Sequence, residues 1–296
     1  MAQSISQEAI GATGLPGATA ASRYAGAVAT SIPTSGSFIV GDFVVTQTGN
    51  IFVCTTAGSP GVWTRVGGSA SSYDGYLATL NPTAWWKMND ATSSTTVADS
   101  SGNSYTGTVA GGLTFQQTGP ITTTPADKAI AFNGTNGQFS GTMNTQLANT
   151  INGSFSVSFW ANTSNWSASY YWILGMGHSG GNQLFQIYTT TGTSGLTIGF
   201  YSNDWSTNYI PSSGWHNIVF TFNASSLIRQ LYVDGVFIGN NTSSGVLSTS
   251  SGDAWNVGGK IISAYNYWPG TMSEMAIFNY QLNPTQISNL YSLATA

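Results

Sequence analysis

Two stretches, Ser154-Phe-Ser-Val-Ser-Phe-Trp160 and Trp215-His-Asn-Ile-Val-Phe-Thr-Phe222, decide the fold class. In the first, Phe155, Val157 and Phe159 alternate with serines; in the second, Ile218, Phe220 and Phe222 fall on one side. Side chains of a strand point alternately to its two faces, so a period of two marks strands with one face turned to a core. Further on, Arg229-Gln-Leu-Tyr-Val-Asp-Gly235 runs into Val236-Phe-Ile-Gly239, and the Asp-Gly between them is the pair that tight hairpin turns favour. Comparable short runs joined by Gly, Asn and Ser continue from about residue 73 to the end. They predict an all-β fold, a two-sheet antiparallel jelly-roll sandwich. Only the C-terminus reads as helix: Asn283 can cap, Pro284 suits the first turn, and Ile287, Leu290 and Tyr291 recur at helical spacing.

Upstream the texture changes twice. Residues 1–36 are rich in Ala, Gly, Ser and Thr, with three Gly-x-y triplets at Gly11, Gly14 and Gly17. Three triplets are too few for a collagen helix, so an extended arm is expected. Residues 37–67 hold Phe43-Val-Val-Thr46, Ile51-Phe-Val-Cys-Thr-Thr56 and Val62-Trp-Thr-Arg-Val66, split by Gly49-Asn50 and Pro60-Gly61, which predicts a small β-meander. About thirty residues bury too little apolar area to stand alone, so this module needs copies of itself or a larger assembly. Residues 68–74 read as a linker, leaving 75–296 for the sandwich.

Composition narrows the function. Six Lys plus Arg and ten Asp plus Glu make 5% charged residues, against roughly a quarter in an ordinary soluble domain. Six basic residues cannot form a phosphate-binding stripe, which argues against nucleic acid as a partner. No run of 18 apolar residues occurs, so membrane insertion is not expected, and the N-terminus has no basic region followed by an apolar one. Cys54 is alone, without a disulfide framework or a Cys-rich zinc site.

Several motifs in order resemble the laminin G-like, concanavalin A-like jelly-roll family. They are Trp85-Trp-Lys-Met-Asn-Asp90, Asp99-Ser-Ser-Gly-Asn103, Lys128-Ala-Ile-Ala-Phe-Asn-Gly134, the two alternating runs, Leu231-Tyr-Val-Asp-Gly235, and Gly270-Thr-Met-Ser-Glu-Met-Ala-Ile-Phe278 with the helix after it. The sequence departs from the family pattern at Ser273 and Asn133, where relatives often carry Asp. The front module, Gly41-Asp-Phe-Val44 and Gly49-Asn-Ile-Phe-Val-Cys-Thr-Thr-Ala-Gly-Ser-Pro-Gly-Val-Trp63, resembles short β-modules of tailed-bacteriophage fibres, tails and head appendages. Together the two resemblances imply a virion structural protein, a head fibre, decoration or tail fibre. It would be made in the host cytoplasm, released by lysis and displayed on the virion surface. Its expected partners are other virion proteins, two further copies in a homotrimer, and a host-surface glycan. A capsid decoration or fibre without a ligand, and a bacterial carbohydrate-binding adhesin, remain as alternatives.

The chemistry is expected to be binding rather than catalysis. Glucanases of this fold resemble one another in a pair of Glu on one strand, and glycoside hydrolysis needs two carboxyl groups flanking the bond. This chain holds two Glu, Glu8 in the arm and Glu274. His178 and His216 are each expected to be structural, in a Gly-rich turn and at a strand start. Many relatives hold a structural calcium ion at a sandwich edge, for which Asp90, Asp99, Asn133 and Glu274 are the candidate ligands; the alternative is that Asp99 caps a turn. Saccharides need flat aromatic faces beside amides and hydroxyls. Aromatics outside clean strand alternation cluster as Trp166, Tyr170, Tyr171 and Trp172; Trp205 and Tyr209; and Tyr265, Tyr267 and Trp268. These nine are the glycan-binding candidates, with core packing or a subunit interface as the plainer reading of each.

Overall fold

The computed structural model describes residues 24–28, 32–46, 51–66, 72–123, 127–164, 166–259, 261 and 266–295. The chain divides into two compact units, Met1–Ser69 and Ala70–Ala296.

In the first unit Tyr24–Val28, Phe43–Thr46, Ile51–Thr56 and Val62–Val66 form a four-stranded sheet in sequence order. Tyr24–Val28 pairs in parallel with Phe43–Thr46, so this part of the expected arm is strand; the rest of residues 1–31 lies outside the described residues. The core of the unit is small. Val44, Cys54 and Trp63 are buried, Phe38 packs edge-on against Trp63 at 4.9 Å, and Trp63 Nε1 donates to the Pro60 carbonyl at 2.9 Å. Ile39, Val40, Ile51 and Val62 stay exposed.

The second unit is the sandwich. One sheet runs, from edge to edge, through Asp204–Ser206, Leu196–Gly199, Leu184–Thr189, Tyr171–Gly177, Ala254–Val257, Gln138–Thr142, Gly107–Ala110 and Thr96–Val97. The other runs through Val236–Thr242, Ile228–Val233, Gly214–Asn223, Phe155–Thr163, Pro269–Phe278, Lys128–Asn133 and Leu113–Thr118. The two alternating runs are neighbours in antiparallel register, Phe155 opposite Phe222 and Phe159 opposite Ile218. Their apolar sides meet Phe185, Ile187, Leu196, Ile198 and Phe200 of the facing sheet in one core. Aromatic contacts knit it together: Phe155 lies 5.0 Å from Phe185 and 5.5 Å from Phe220, and Trp86 lies 4.6 Å from Trp255. Such pairs add about 0.5–1.5 kcal/mol each beyond their area.

Among the described residues there are three helices rather than one: α1 (Tyr73–Thr79), α2 (Thr145–Asn152) and α3 (Pro284–Thr295). Each of the first two is held by an N-cap, Ser72 Oγ accepting from Gly75 N and Asn144 Oδ1 from Leu147 N, which satisfies an otherwise orphaned donor. The expected linker therefore ends inside α1. Helices α1 and α3 cover the outer face of the second sheet, where Tyr73, Leu77, Ile287 and Leu290 meet Trp160, Val219 and Tyr232. This second core explains why Ser156 and Ser158, on the polar side of the alternation, are fully buried. Ser156 Oγ donates to the Tyr280 carbonyl and accepts from Leu282 N, pinning the connection into α3.

Candidate functional site

Three of the nominated aromatics belong to the core. Trp166, Trp172 and Trp268 are 2%, 0% and 0% exposed, so no ligand can stack on them. Trp166 and Trp268 face each other with ring centres 5.3 Å apart. Gly270 makes room for Trp268, since a Cβ there would lie 2.9 Å from its Nε1 and 2.3 Å from the Asn162 carbonyl oxygen. Trp172 lies against Gly175, whose added Cβ would meet the indole at 2.4 Å. Trp166 and Trp268 stand outside the strands and Trp172 near the start of one, where the alternation is not clean, which made the residues look superficial in sequence.

Above this floor the first and third nominated stretches come together. Tyr171–Gly177 pairs in parallel with Asn266–Tyr267, placing Tyr171 beside Asn266 and Trp172 beside Tyr267. Asn266 N donates to the Tyr170 carbonyl at 2.8 Å and its Nδ2 to Ser169 Oγ at 2.7 Å. Thr189 Oγ1 donates to the Ser169 carbonyl and accepts from Tyr171 N. The next turn carries Tyr209 to the same end of the sandwich: Thr190 N donates to Gly195 O, and Gly195 bridges Tyr209. Tyr170 is 45% exposed, and Tyr171, Tyr209 and Tyr267 are half-buried. Burial, then the Asp234 charge, pushes the Tyr209 phenol upward, so it stays neutral. Trp205 is half-buried on the edge strand Asp204–Ser206; like Tyr171 and Tyr209, it packs against the main core. Tyr265 lies outside the described residues.

The same end is braced from below by His216, whose Nδ1 donates to Asp234 Oδ2 at 2.7 Å, while Asn217 N donates to Asp234 Oδ1. His216 Nε2 faces both the hydroxyl and the carbonyl oxygen of Ser212, at 3.1 and 3.2 Å. The Asp234 hydrogen bond raises the His216 pKa against the opposing effect of burial, favouring an imidazolium that donates from both nitrogens.

The nominated calcium ligands do not converge. Asn133 Oδ1 accepts from the backbone nitrogens of Thr135, Asn136 and Gly137, closing its own turn. Asp99 accepts from the nitrogens of Trp85, Ser101 and Tyr105 and from Ser101 Oγ, so it acts as the turn cap. Asp90 Oδ1 accepts from Ala98 N. Glu274 is buried at a positive φ of 54° in a bulge and accepts from Trp85 Nε1 at 2.6 Å. Burial, and next the charge of Asp74, hold its carboxyl well above the usual range, a protonated acid rather than an ionised ligand. Among the described residues no three His, Cys, Asp or Glu are grouped to hold a metal ion.

Residues 133–288 match the family model described as the concanavalin A-like lectin/glucanases superfamily. The chain belongs to this superfamily. Among solved structures, domain 4 of AbnA, an extracellular arabinanase from Geobacillus stearothermophilus, in complex with arabinotriose, is similar at 21% identity and a TM-score of 0.51, covering 71% of this chain and 98% of that one. A botulinum neurotoxin type C structure, titled for cell entry that depends on two ganglioside molecules, is similar at 20% identity and a TM-score of 0.54, over 74% of this chain and 53% of that one. The botulinum neurotoxin DC binding domain in complex with rat synaptotagmin II matches at 20% identity and a TM-score of 0.53, over 73% of this chain and 52% of that one. This chain thus spans about half of either toxin structure, and at these identities the likeness carries the fold alone. No curated protein matches in sequence.

Within this concanavalin A-like domain, sequence reasoning missed two shallow cavities flanking the connection into α3. One, of about 420 Å³, is lined by Gln146, Asn149, Thr150, Gly153, Ser154, Asn279 and Tyr280. The other, of about 370 Å³, is lined by Gln230, Tyr232, Gln281, Leu282, Asn283 and Pro284. Each is assembled from segments far apart in the chain, so no local motif announces it.

Proposed function

We propose that this chain is a phage virion protein whose concanavalin A-like domain binds neutral surface glycans without cleaving them. The observation that carries the reading is the loop end bearing exposed Tyr170 and half-buried Tyr171, Tyr209 and Tyr267 around Asn266. Tyrosine rings offer apolar faces to the C–H faces of a sugar, and amides and hydroxyls meet its hydroxyl groups. The five are four tyrosines and an asparagine, with no Asp, Glu, Lys or Arg among them, which suits an uncharged ligand. The similar arabinanase domain, titled in complex with arabinotriose and covered over 98% of its length, supports the same ligand class.

The N-terminal unit serves assembly in this reading. Among the described residues its buried hydrophobic cluster is Val44, Cys54 and Trp63, while Ile32, Ile39, Val40, Ile51 and Val62 are left exposed, as suits a module that is completed by other copies or by the particle. Trimerisation and display at the virion surface would turn weak single sites into avid attachment, because tethering raises effective concentration. A glycan array probed with the full-length chain tests the binding claim. Neutral glycans are expected to be retained by the wild type and lost by Tyr170→Ala, and an array without any retained glycan overturns it. Light scattering of the full chain is expected to report a trimer.

A further inference from the structure

The two cavities beside the connection into α3 differ in what their amides already do. In the 370 Å³ cavity the polar groups are committed to one another: Gln281 Nε2 donates to Gln230 Oε1 at 2.9 Å, Asn223 Nδ2 donates to Gln281 Oε1, and Asn283 Oδ1 caps α3 by accepting from Gln286 N. The 420 Å³ cavity is the reverse. Asn149 and Asn279 are exposed and their carboxamides make no hydrogen bond among the described residues. Tyr105 OH donates to Asn144 Oδ1 at 2.7 Å and lies 3.3 Å from Gln146 Oε1, so the Gln146 carboxamide has this one long contact and keeps further hydrogen-bonding capacity. Ser154 Oγ accepts from Ala224 N and keeps its proton for another acceptor.

The walls are rigid although the amides are free. Tyr280 OH donates to the Leu80 carbonyl at 2.8 Å, fixing its ring at the edge of the cavity, and Phe278 packs against that ring with centres 6.0 Å apart. The opposite wall is α2 itself, within which Thr150 Oγ1 donates to the Gln146 carbonyl. Three carboxamides on a fixed frame present donors and acceptors side by side, the pattern that vicinal hydroxyl groups satisfy in pairs. No lining residue carries a charge, so an ionic ligand would lose hydration without a counter-charge. The volume lies toward the small end of the roughly 300–1,000 Å³ of small-molecule sites, which fits a mono- or disaccharide rather than a longer chain.

We propose that the cavity between α2 and the Asn279–Tyr280 corner is a second saccharide site, specific for a neutral mono- or disaccharide unit and separate from the tyrosine-bearing loop end. It rests on the reading of the domain as a saccharide binder for its ligand class, and on the uncommitted amides for its place. The test is a titration of the full-length chain with a panel of methyl glycosides of neutral hexoses and pentoses, with glucuronic acid as the charged control, followed by NMR of the side-chain amides. At least one neutral glycoside is expected to shift the Asn149 and Asn279 amide signals saturably, with glucuronic acid inert. Asn279→Ala and Asn149→Ala are each expected to weaken that binding about tenfold, the loss of roughly one hydrogen bond, while Tyr170→Ala leaves it unchanged. Both asparagines are exposed, so their replacement is not expected to disturb folding. Shifts confined to residues around Tyr170, lost in Tyr170→Ala and kept in the asparagine variants, would overturn this second site and leave the proposed function standing. The absence of any shift with every glycoside would overturn the site, and an empty glycan array beside it would remove the function as well.

Discussion

Replacing Trp268 and replacing Tyr170 should have opposite consequences, although both were nominated from the same kind of sequence signal. Trp268 is fully buried, touches Trp166, and sits over Gly270 and the end of Phe155–Thr163. Truncating a buried tryptophan to alanine costs about 3–5 kcal/mol, through lost transfer free energy and the cavity left behind. In a domain of this size each kcal/mol lowers Tm by about 2–4 °C, so Trp268→Ala is expected to melt roughly 6–20 °C below wild type. Tyr170 is 45% exposed at the loop end, and Tyr170→Ala should change stability by no more than about 0.5 kcal/mol. Its cost should appear in binding, at about 1–2 kcal/mol for an anchoring aromatic, or roughly five- to thirtyfold in Kd. Calorimetric melting and a glycan titration on the two variants separate the roles. A Trp268→Ala protein that melts like wild type yet loses its glycan would refute the assignment of that tryptophan to the core.

Other expectations follow from the same geometry. Glu274→Gln keeps an acceptor for Trp85 and removes the proton equilibrium; since the folded pKa is raised, wild-type stability is complete below the ordinary glutamate range, about pH 4.3, and is lost progressively as pH rises toward the folded value. Urea unfolding should therefore find the two proteins alike near pH 4 and the variant ahead at pH 7; parallel curves, or calcium stabilisation of the wild type alone, would contradict a buried neutral acid. The His216 imidazolium stabilises the fold fully below about pH 6.5, a contribution lost as pH rises through its raised pKa. Its ring should titrate above 6.5 by NMR and return toward that value in Asp234→Asn; an unshifted midpoint in the wild type counts against the clamp. Gly175→Ala puts a methyl 2.4 Å from the Trp172 ring and should lower stability by about 1–3 kcal/mol on thermal melting, whereas an unchanged melt would mean that the indole does not lie there.

The sandwich was legible because its signal is local: Phe155, Val157, Phe159 and Ile218, Phe220, Phe222 repeat every second residue and pair in the expected orientation. Helices α1 and α2 were missed because each is at most eight residues long, below the length at which periodicity speaks, and α1 contains Gly75. Three of the nine glycan candidates were misread for a different reason. Trp166, Trp172 and Trp268 stand among Ser, Asn and Gly, and the glycines that admit them, Gly175 and Gly270, reveal their purpose only when the backbone is folded. The surroundings of the calcium candidates were hidden in the same way: Asp99 and Asn133 accept from backbone donors of their own turns, and Glu274 is sealed beneath α1 among Tyr73, Trp85 and Trp160. Low charge gave no indication of place, since uncharged amides line both the loop end and the cavities at the other corner.

The most direct test of the central claim is the affinity of the full-length chain for its best neutral glycan, measured by calorimetry beside Tyr170→Ala and Tyr209→Ala. Saturable binding that weakens at least about fivefold in either variant, with Tm unchanged in Tyr170→Ala, is the predicted result. Binding that neither substitution alters, or no binding to any neutral glycan, would contradict it.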